Sequence, residues 1–385
     1  MDGPTRSSSG AALKRRPNLG GATASTVTAV VAFLAGGIVI VITTGKAPWG
    51  VYKAIFEGAG LNWLLPWVSG ADRVNAAFNL QQTLLVATPL MLTGLAVAFA
   101  FRCGMFNIGG QGQYLCGQIV AVAIGTSWAG LFGPVHIVLA IVAAALAGAV
   151  WAGIAGFLRA AFGAHEVITT IMLNWIAIWI ASYLFGSGGP LQKPGQVNPI
   201  SSDVVETARL HVWWGDPLLQ GLHVGIFLAL GSLIVFWLVL KRTTLGFEIR
   251  AVGTNTEAAR YAGIPVARST VVAMCISGLF AGIAGSLDIL GWQFHLTTQD
   301  VRASTIGFMG IAVALLGRNT AIGVLFASLL FGALSVGTST RQLDPDVFDP
   351  RLAGNLTLII QGLVILFLGA DVLVLTLWRR LWRRS

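Results

Sequence analysis

The sequence predicts an all-α protein, a polytopic transmembrane helical bundle of about ten membrane segments, two of them interrupted or re-entrant. Three observations carry this expectation. Hydrophobic residues make up 55% of the 385 positions and charged residues 10%, against about 25% charged in a soluble domain. Five uncharged runs, 25–44, 83–101, 135–158, 167–185 and 222–240, approach or exceed the roughly 17–25 residues that cross a bilayer as helix. Two further apolar stretches are broken by glycine and carry polar side chains at membrane depth.

Taken in order, residues 1–22 are polar and read as a disordered cytoplasmic tail, and 25–44 as a retained first helix with no convincing small-residue cleavage site. Residues 45–80 form an external loop; its Trp49, Tyr52, Trp63 and Trp67 suit the headgroup layer. The second helix, 83–101, contains Pro89 and stops at Arg102. The third segment, 105–128, is interrupted by the run Asn107, Gly109, Gly110, Gln111, Gly112, Gln113. Helices at 135–158 and 167–185 follow, then an external Gly/Pro-rich loop at 186–220. The sixth helix, 222–240, ends at Lys241 and Arg242, and 241–268 is the longest cytoplasmic loop. The seventh, 270–292, has a stripe of Gly278, Gly282 and Gly285 that permits close helix approach. The eighth, 304–317, is short and broken by Gly307 and Gly310; the ninth and tenth cover 321–338 and 352–377. The membrane domain thus spans 23–378, with a basic cytoplasmic tail at 379–385.

A net charge of +9 raises the question of nucleic acid, but the placement of the charges answers it differently. With ten crossings and both termini cytoplasmic, sixteen of the 24 Lys and Arg fall inside, as the positive-inside rule requires. The partner surface is therefore lipid, with no nucleic acid. Cys103, Cys116 and Cys275 form no CxxC pair and read as small buried hydrophobes.

Absent motifs narrow the chemistry. No glycine-rich loop ends in Gly-Lys-Ser/Thr, so any ATP must be handled by another subunit. His165-Glu166 opens like a zinc-protease motif, but Thr169 stands where the second His belongs, so no metal is expected. Intramembrane carboxylates are limited to Asp288 and Asp371, few for an ion-coupled secondary transporter, which stays open as an alternative. No residue set reads as catalytic, and the chain is read as a translocation subunit. In the cytoplasmic loop, Thr254-x-x-Glu257 has capping-box spacing and starts a short helix that Gly263 and Pro265 end. Its small-sided, partly apolar face, Ala258, Ala259, Tyr261 and Ala262, suits docking into a partner groove.

Four stretches bear a family resemblance. Residues 106–113, Phe-Asn-Ile-Gly-Gly-Gln-Gly-Gln, resemble the FNIG-x-x-G-Q signature of nucleoside-type ABC importer permeases, within the branched-chain amino acid and simple-sugar permease family. Residues 165–174 are similar to the family's NEV-x-x-T-I-M-L-N stretch, with His165 in place of the usual Asn. Residues 245–264 resemble its coupling segment and 311–319 its GIAVALLGRN block. The resemblance covers about 83–334 in order.

It implies two permease subunits in a bacterial inner membrane, the second a paralogue more readily than an identical copy. It also implies two ABC ATPase subunits that carry ATP-Mg and dock on the coupling helix, here Glu257, Ala258, Ala259, Arg260 and Gly263. An extracytoplasmic binding protein or lipoprotein delivers the solute. The residues agree with a neutral nucleoside-like solute: Asn107, Gln111, Gln113 and Asn174 offer amides, and Phe106, Trp175 and Phe308 offer aromatic faces to the expected pathway, with almost no charge. Simple sugars are the alternative substrate.

Overall fold

The structure, a computed structural model, describes residues 47–339 and, beyond them, residues 30, 33–38, 41, 42, 359 and 362. The expected tails, the 341–351 loop and nearly all of the first and tenth helices lie outside the described residues.

Helix α1 (Pro48–Gly58) opens on a proline, whose fixed φ suits a first turn, and leads into a 3₁₀ turn at Leu61–Leu64. Helix α2 (Gly70–Arg102) is much longer than the 83–101 expected. Residues 71–82 mix polar and apolar side chains and none is a helix breaker, so the helix runs on past the apolar stretch. Pro89 sits inside it without ending it. A non-helical stretch, 105–109, precedes α3 (Gly110–Gly125). Then come α4 (Gly133–Phe162), whose end is capped by Gly163 at φ 67°, and α5 (Glu166–Phe185).

The long loop after α5 is not bare coil, although the strand pair it holds is too small to change the all-α class. Strands β1 (Val212–Trp214) and β2 (Leu222–His223) pair antiparallel within it. The loop is sewn to the segment after the seventh helix by backbone bonds, Val204 N donating to Phe294 O at 2.7 Å and Leu210 N to Leu290 O at 2.8 Å. Lys193 and Asp203 pair at 2.6 Å on its surface, and that hydrogen bond holds the Asp203 carboxyl below its ordinary range.

Helix α6 (Gly225–Arg242) is followed by α7 (Thr244–Thr254) and the single-turn α8 (Thr256–Tyr261). Helix α9 (Val266–Asp288) passes into a π turn at Ile289–Gln293. Helices α10 (Thr298–Ala303), α11 (Ile306–Leu316) and α12 (Ala321–Gly337) complete the described chain.

Five of these helices, α2, α4, α5, α6 and α9 with its π turn, are long and apolar enough to cross a membrane, and α12 is a shorter apolar helix. The chain is an all-α polytopic membrane protein with one small strand pair. Its core is α2, packed against α9, α11 and α12, with α9 packed in turn on α3 and α4. The glycine stripe makes these approaches possible: a Cβ on Gly278 would fall 2.1 Å from Gly148 O, and one on Gly282 would fall 2.3 Å from Ala144 O. Main chain touches main chain there, as in small-residue membrane helix packing. Arg102, Arg159, Lys241 and Arg242 lie at helix ends on one end of the bundle, called here the basic end.

Candidate functional site

The first turn of α3 and the start of α11 meet inside the bundle; the break expected at Gly307 and Gly310 falls instead at Ser304 and Thr305, and α11 runs unbroken through both glycines. Helix α11 has 11 residues, about 16 Å at 1.5 Å per residue, so its start lies near half the thickness of a ~30 Å hydrocarbon layer. There Gly307 packs on the first turn of α3, close enough that a Cβ on it would fall 2.3 Å from Gln111 Cα. Each helix begins with orphan N–H groups, and the amides picked out in the sequence supply the partners.

Asn107 and Gln113 exchange side-chain bonds, Asn107 Nδ2 donating to Gln113 Oε1 at 3.0 Å and Gln113 Nε2 to Asn107 Oδ1 at 3.0 Å. Asn107 Oδ1 also accepts from Gly109 N at 2.8 Å, and its Nδ2 donates to Ser277 Oγ on α9 at 2.8 Å. Asn174 of α5 clamps both sides of the break, accepting from Gly112 N at 2.8 Å and donating to Ile108 O at 2.9 Å. Gln111 Oε1 accepts from Gly307 N at 2.9 Å, joining α3 to α11. All four amides are buried.

Within this chain the four amides are turned to one another and to the backbone. Asn107, Gln113 and Asn174 serve as internal ties that satisfy non-helical backbone, the condition for such backbone inside a bilayer. Gln111 Nε2 alone among the four side chains' donors is left buried without a partner. The aromatic candidates divide similarly: Phe106 packs edge-on against Phe101 at 4.8 Å between ring centroids, whereas Trp175 and Phe308 are exposed on the chain's surface.

A second polar cluster went unrecognised in the sequence. Tyr114 hydroxyl donates to the fully buried Asp288, which also accepts from Trp292 Nε1 at 3.0 Å, across the start of the π turn. Gln118 Nε2 donates to Tyr114 Oη at 3.0 Å and to Gln293 Oε1 at 3.1 Å. The signal was the spacing of Gln111, Tyr114 and Gln118, which puts three polar side chains on one face of α3. His165 caps nothing, and Glu166 faces Arg159 at 3.5 Å.

At the basic end, α8 is present as expected but its cap is not. Asn255 Oδ1 accepts from Ala258 N at 3.0 Å, while Thr254 is the last residue of α7 and donates to Arg250 O at 2.8 Å. Asn is as good an N-cap as Thr and stands one position later, so the capping box drawn on Thr254 and Glu257 does not form. Glu257 instead pairs with Arg260 at 3.0 Å. Ala258, Arg260 and Tyr261 are exposed, Ala259 is buried, and Gly263 ends the element at φ 81°. Close by, Gly253 of α7 lies against the turn after α2, with Gly104 close enough that a Cβ there would meet Gly253 Cα at 3.3 Å. Arg102 Nε and Nη2 both donate to Asn319 O, at 3.0 and 2.6 Å. The short cytoplasmic-type helix and the membrane break are thus joined through one short turn.

Comparison with known proteins agrees with this architecture. A sequence profile for the branched-chain amino acid transport system / permease component matches residues 79–369. The guanosine ABC transporter permease protein NupP of Bacillus subtilis (strain 168) is 35% identical over 351 residues, 89% of this chain and 92% of the relative. The nucleoside ABC transporter permease protein NupB of Lactococcus lactis subsp. cremoris (strain MG1363) is 31% identical over 350 residues, 90% of each chain. The glucose ABC transporter permease protein TsgB13 of Haloferax volcanii is 33% identical over 351 residues, 89% of this chain and 86% of the relative. No solved structure gives a significant match.

Proposed function

Since the chain belongs to the family of the branched-chain amino acid transport system / permease component, we propose that it is the membrane permease of an ABC importer for a nucleoside-like neutral solute. The carrying observation is a pair of helices, α3 and α11, each entered from non-helical backbone and meeting near mid-membrane, inside a match that spans most of the chain. Paired discontinuous segments of this kind mark transporter pathways. The nucleoside relatives support the solute class; the glucose relative keeps simple sugars as the second reading.

In this reading the basic end is cytosolic in a bacterial inner membrane, both termini face the cytosol, and the described helices are part of about ten crossings over 23–378. A paralogous second permease completes the passage and an extracytoplasmic binding protein feeds it. Partner ATPases carry ATP-Mg and dock on Glu257, Ala258, Ala259, Arg260 and Gly263, whose exposed helix supports that role. Their closure moves α7 and α8, and the Gly253–Gly104 contact passes the motion to the break. There Asn107, Gln113 and Asn174 change partners, while Gln111, Phe106, Trp175 and Phe308 border the solute's path. A ligand moves such an equilibrium only through unequal contacts in the two states.

The test is reconstitution of the complete importer in liposomes with ATP inside, and competition of labelled adenosine uptake by uridine, guanosine, ribose and glucose. ATP-dependent uptake blocked by nucleosides and not by sugars is the expected result. Block by sugars alone, or uptake by the chain without ATPase, overturns the reading.

A further inference from the structure

One charged side chain sits where a lipid-facing surface should not have one. Helix α5 rises from Glu166 at the basic end, so Trp179 lies about 20 Å along it at 1.5 Å per residue, past the middle of a ~30 Å hydrocarbon layer. Trp179 is 63% exposed, and the Arg302 guanidinium of α10 lies over its ring at 5.6 Å from the centroid. Arg302 is itself exposed and makes no hydrogen bond or ion pair with any described residue. The nearby carboxylate of Asp300 is engaged with Thr297, whose hydroxyl donates to it at 2.6 Å. Beside the pair is an open recess of about 370 Å³ lined by Thr298, Gln299, Arg302 and Ala303.

The other exposed flanks differ. On α4, Val138, Val142, Leu146 and Val150 are exposed, and on α6, Phe227, Ile234 and Val235, with no charged residue on either helix away from its basic end. Those surfaces suit lipid. A bare guanidinium held in the outer half of the layer does not, because an intramembrane charge is costly unless it faces water or a polar partner.

We propose that the α5–α10 face borders the aqueous passage, and that Trp179 and Arg302 together form a contact for the planar base of the solute on its way in. The indole ring offers a stacking surface, and the five guanidinium donors offer hydrogen bonds to base carbonyl and ring-nitrogen acceptors. The second permease closes the passage from the opposite side. The solute part rests on the nucleoside reading above, whereas the wet face does not.

The test uses the complete importer in liposomes, with single cysteines introduced as Trp179→Cys, Gln299→Cys and, as a lipid-side control, Leu146→Cys. Each is exposed to a charged, membrane-impermeant methanethiosulfonate, with the three native cysteines as background. Positions 179 and 299 should label and position 146 should not, and saturating nucleoside should slow labelling severalfold at 299, where the Trp179–Arg302 pair is intact. If 179 and 299 are as inert as 146, the face is lipid-covered and the proposal fails. If 299 labels without protection in vesicles that import nucleoside, the base contact fails. Should Trp179→Cys not assemble, Gln299→Cys still reports the wet face, and Arg302→Gln should raise the nucleoside KM roughly fivefold or more, in the range for losing a base contact. An unchanged KM refutes the contact. Failure of the unmodified importer to take up nucleosides would instead remove the functional reading, and the labelling pattern would still decide the wet face.

Discussion

Replacing Asn174 by Ala is the sharpest test of how the broken segment is held. The substitution removes the acceptor for Gly112 N at 2.8 Å and the donor for Ile108 O at 2.9 Å, and both backbone groups lie inside the bundle. A buried group left without its partner costs about 1–3 kcal/mol, so the two together amount to roughly 2–6 kcal/mol. Domains of 150–250 residues lose about 2–4 °C per kcal/mol. At the lower slope, which suits this longer chain, a fall of roughly 4–12 °C in the unfolding midpoint is expected. The assay is a fluorescence-monitored thermal scan of the purified importer at a fixed heating rate, since membrane complexes unfold irreversibly and the midpoint depends on the rate. Asn174→Leu separates hydrogen bonding from volume: it refills the space but satisfies neither backbone group, so it should fall with Ala. If Leu unfolds like the unmodified protein, the clamp reasoning is wrong and Asn174 is only a space-filler.

Gly282→Val should leave little folded chain, because its first added carbon would lie 2.3 Å from Ala144 O, whereas Gly231→Ala, with nothing within 4 Å, should express normally; size-exclusion profiles decide this. Gly263→Val should weaken the end of α8 by about 1–2 kcal/mol, since the position has φ 81° though open space around it, while Gly263→Asn should retain transport. Deleting residues 257–259 should abolish uptake and ATPase co-purification while the chain remains in the membrane; retained uptake would remove α8 from the coupling route. Arg102→Lys keeps the charge but not the paired donation to Asn319 O, and should cost about 1–2 kcal/mol, readable as a lower unfolding midpoint with near-normal expression.

Where a property is local in the chain, it was legible. Basic residues marked the ends of α2 and α6, glycine marked the break before α3, and α12 ends within a residue of its expected limit, because charge cost and backbone freedom act on neighbours; Gly307 and Gly310 did not break α11, since glycine weakens a helix without ending it. The misses have equally physical causes. Residues 71–82 lengthen α2 because polarity does not break a helix, and Asn255 took the cap from Thr254 because both are competent and the choice depends on where α7 ends. The short strand pair and the π turn have no hydrophobic period long enough to read. At the site, Asn107, Gln113 and Asn174 stood out in the sequence as amides among apolar neighbours, but what each one holds depends on partners such as Gly112, 62 positions from Asn174. Trp179 and Arg302 escaped notice for the same reason: each alone is an ordinary interfacial residue, and only the fold stacks one on the other.

The meeting of Gly253 and Gly104 has a mechanical consequence. Side chains between moving parts act as springs, since rotamers can change and absorb a displacement before it travels further. Here the joint is main chain against main chain, with no room for even a methyl group on Gly253, whose Cβ would fall 2.3 Å from Arg102 O. In the proposed coupling route such a joint leaves no rotamer to take up slack, and an atom added at Gly253 has to push the turn after α2 aside.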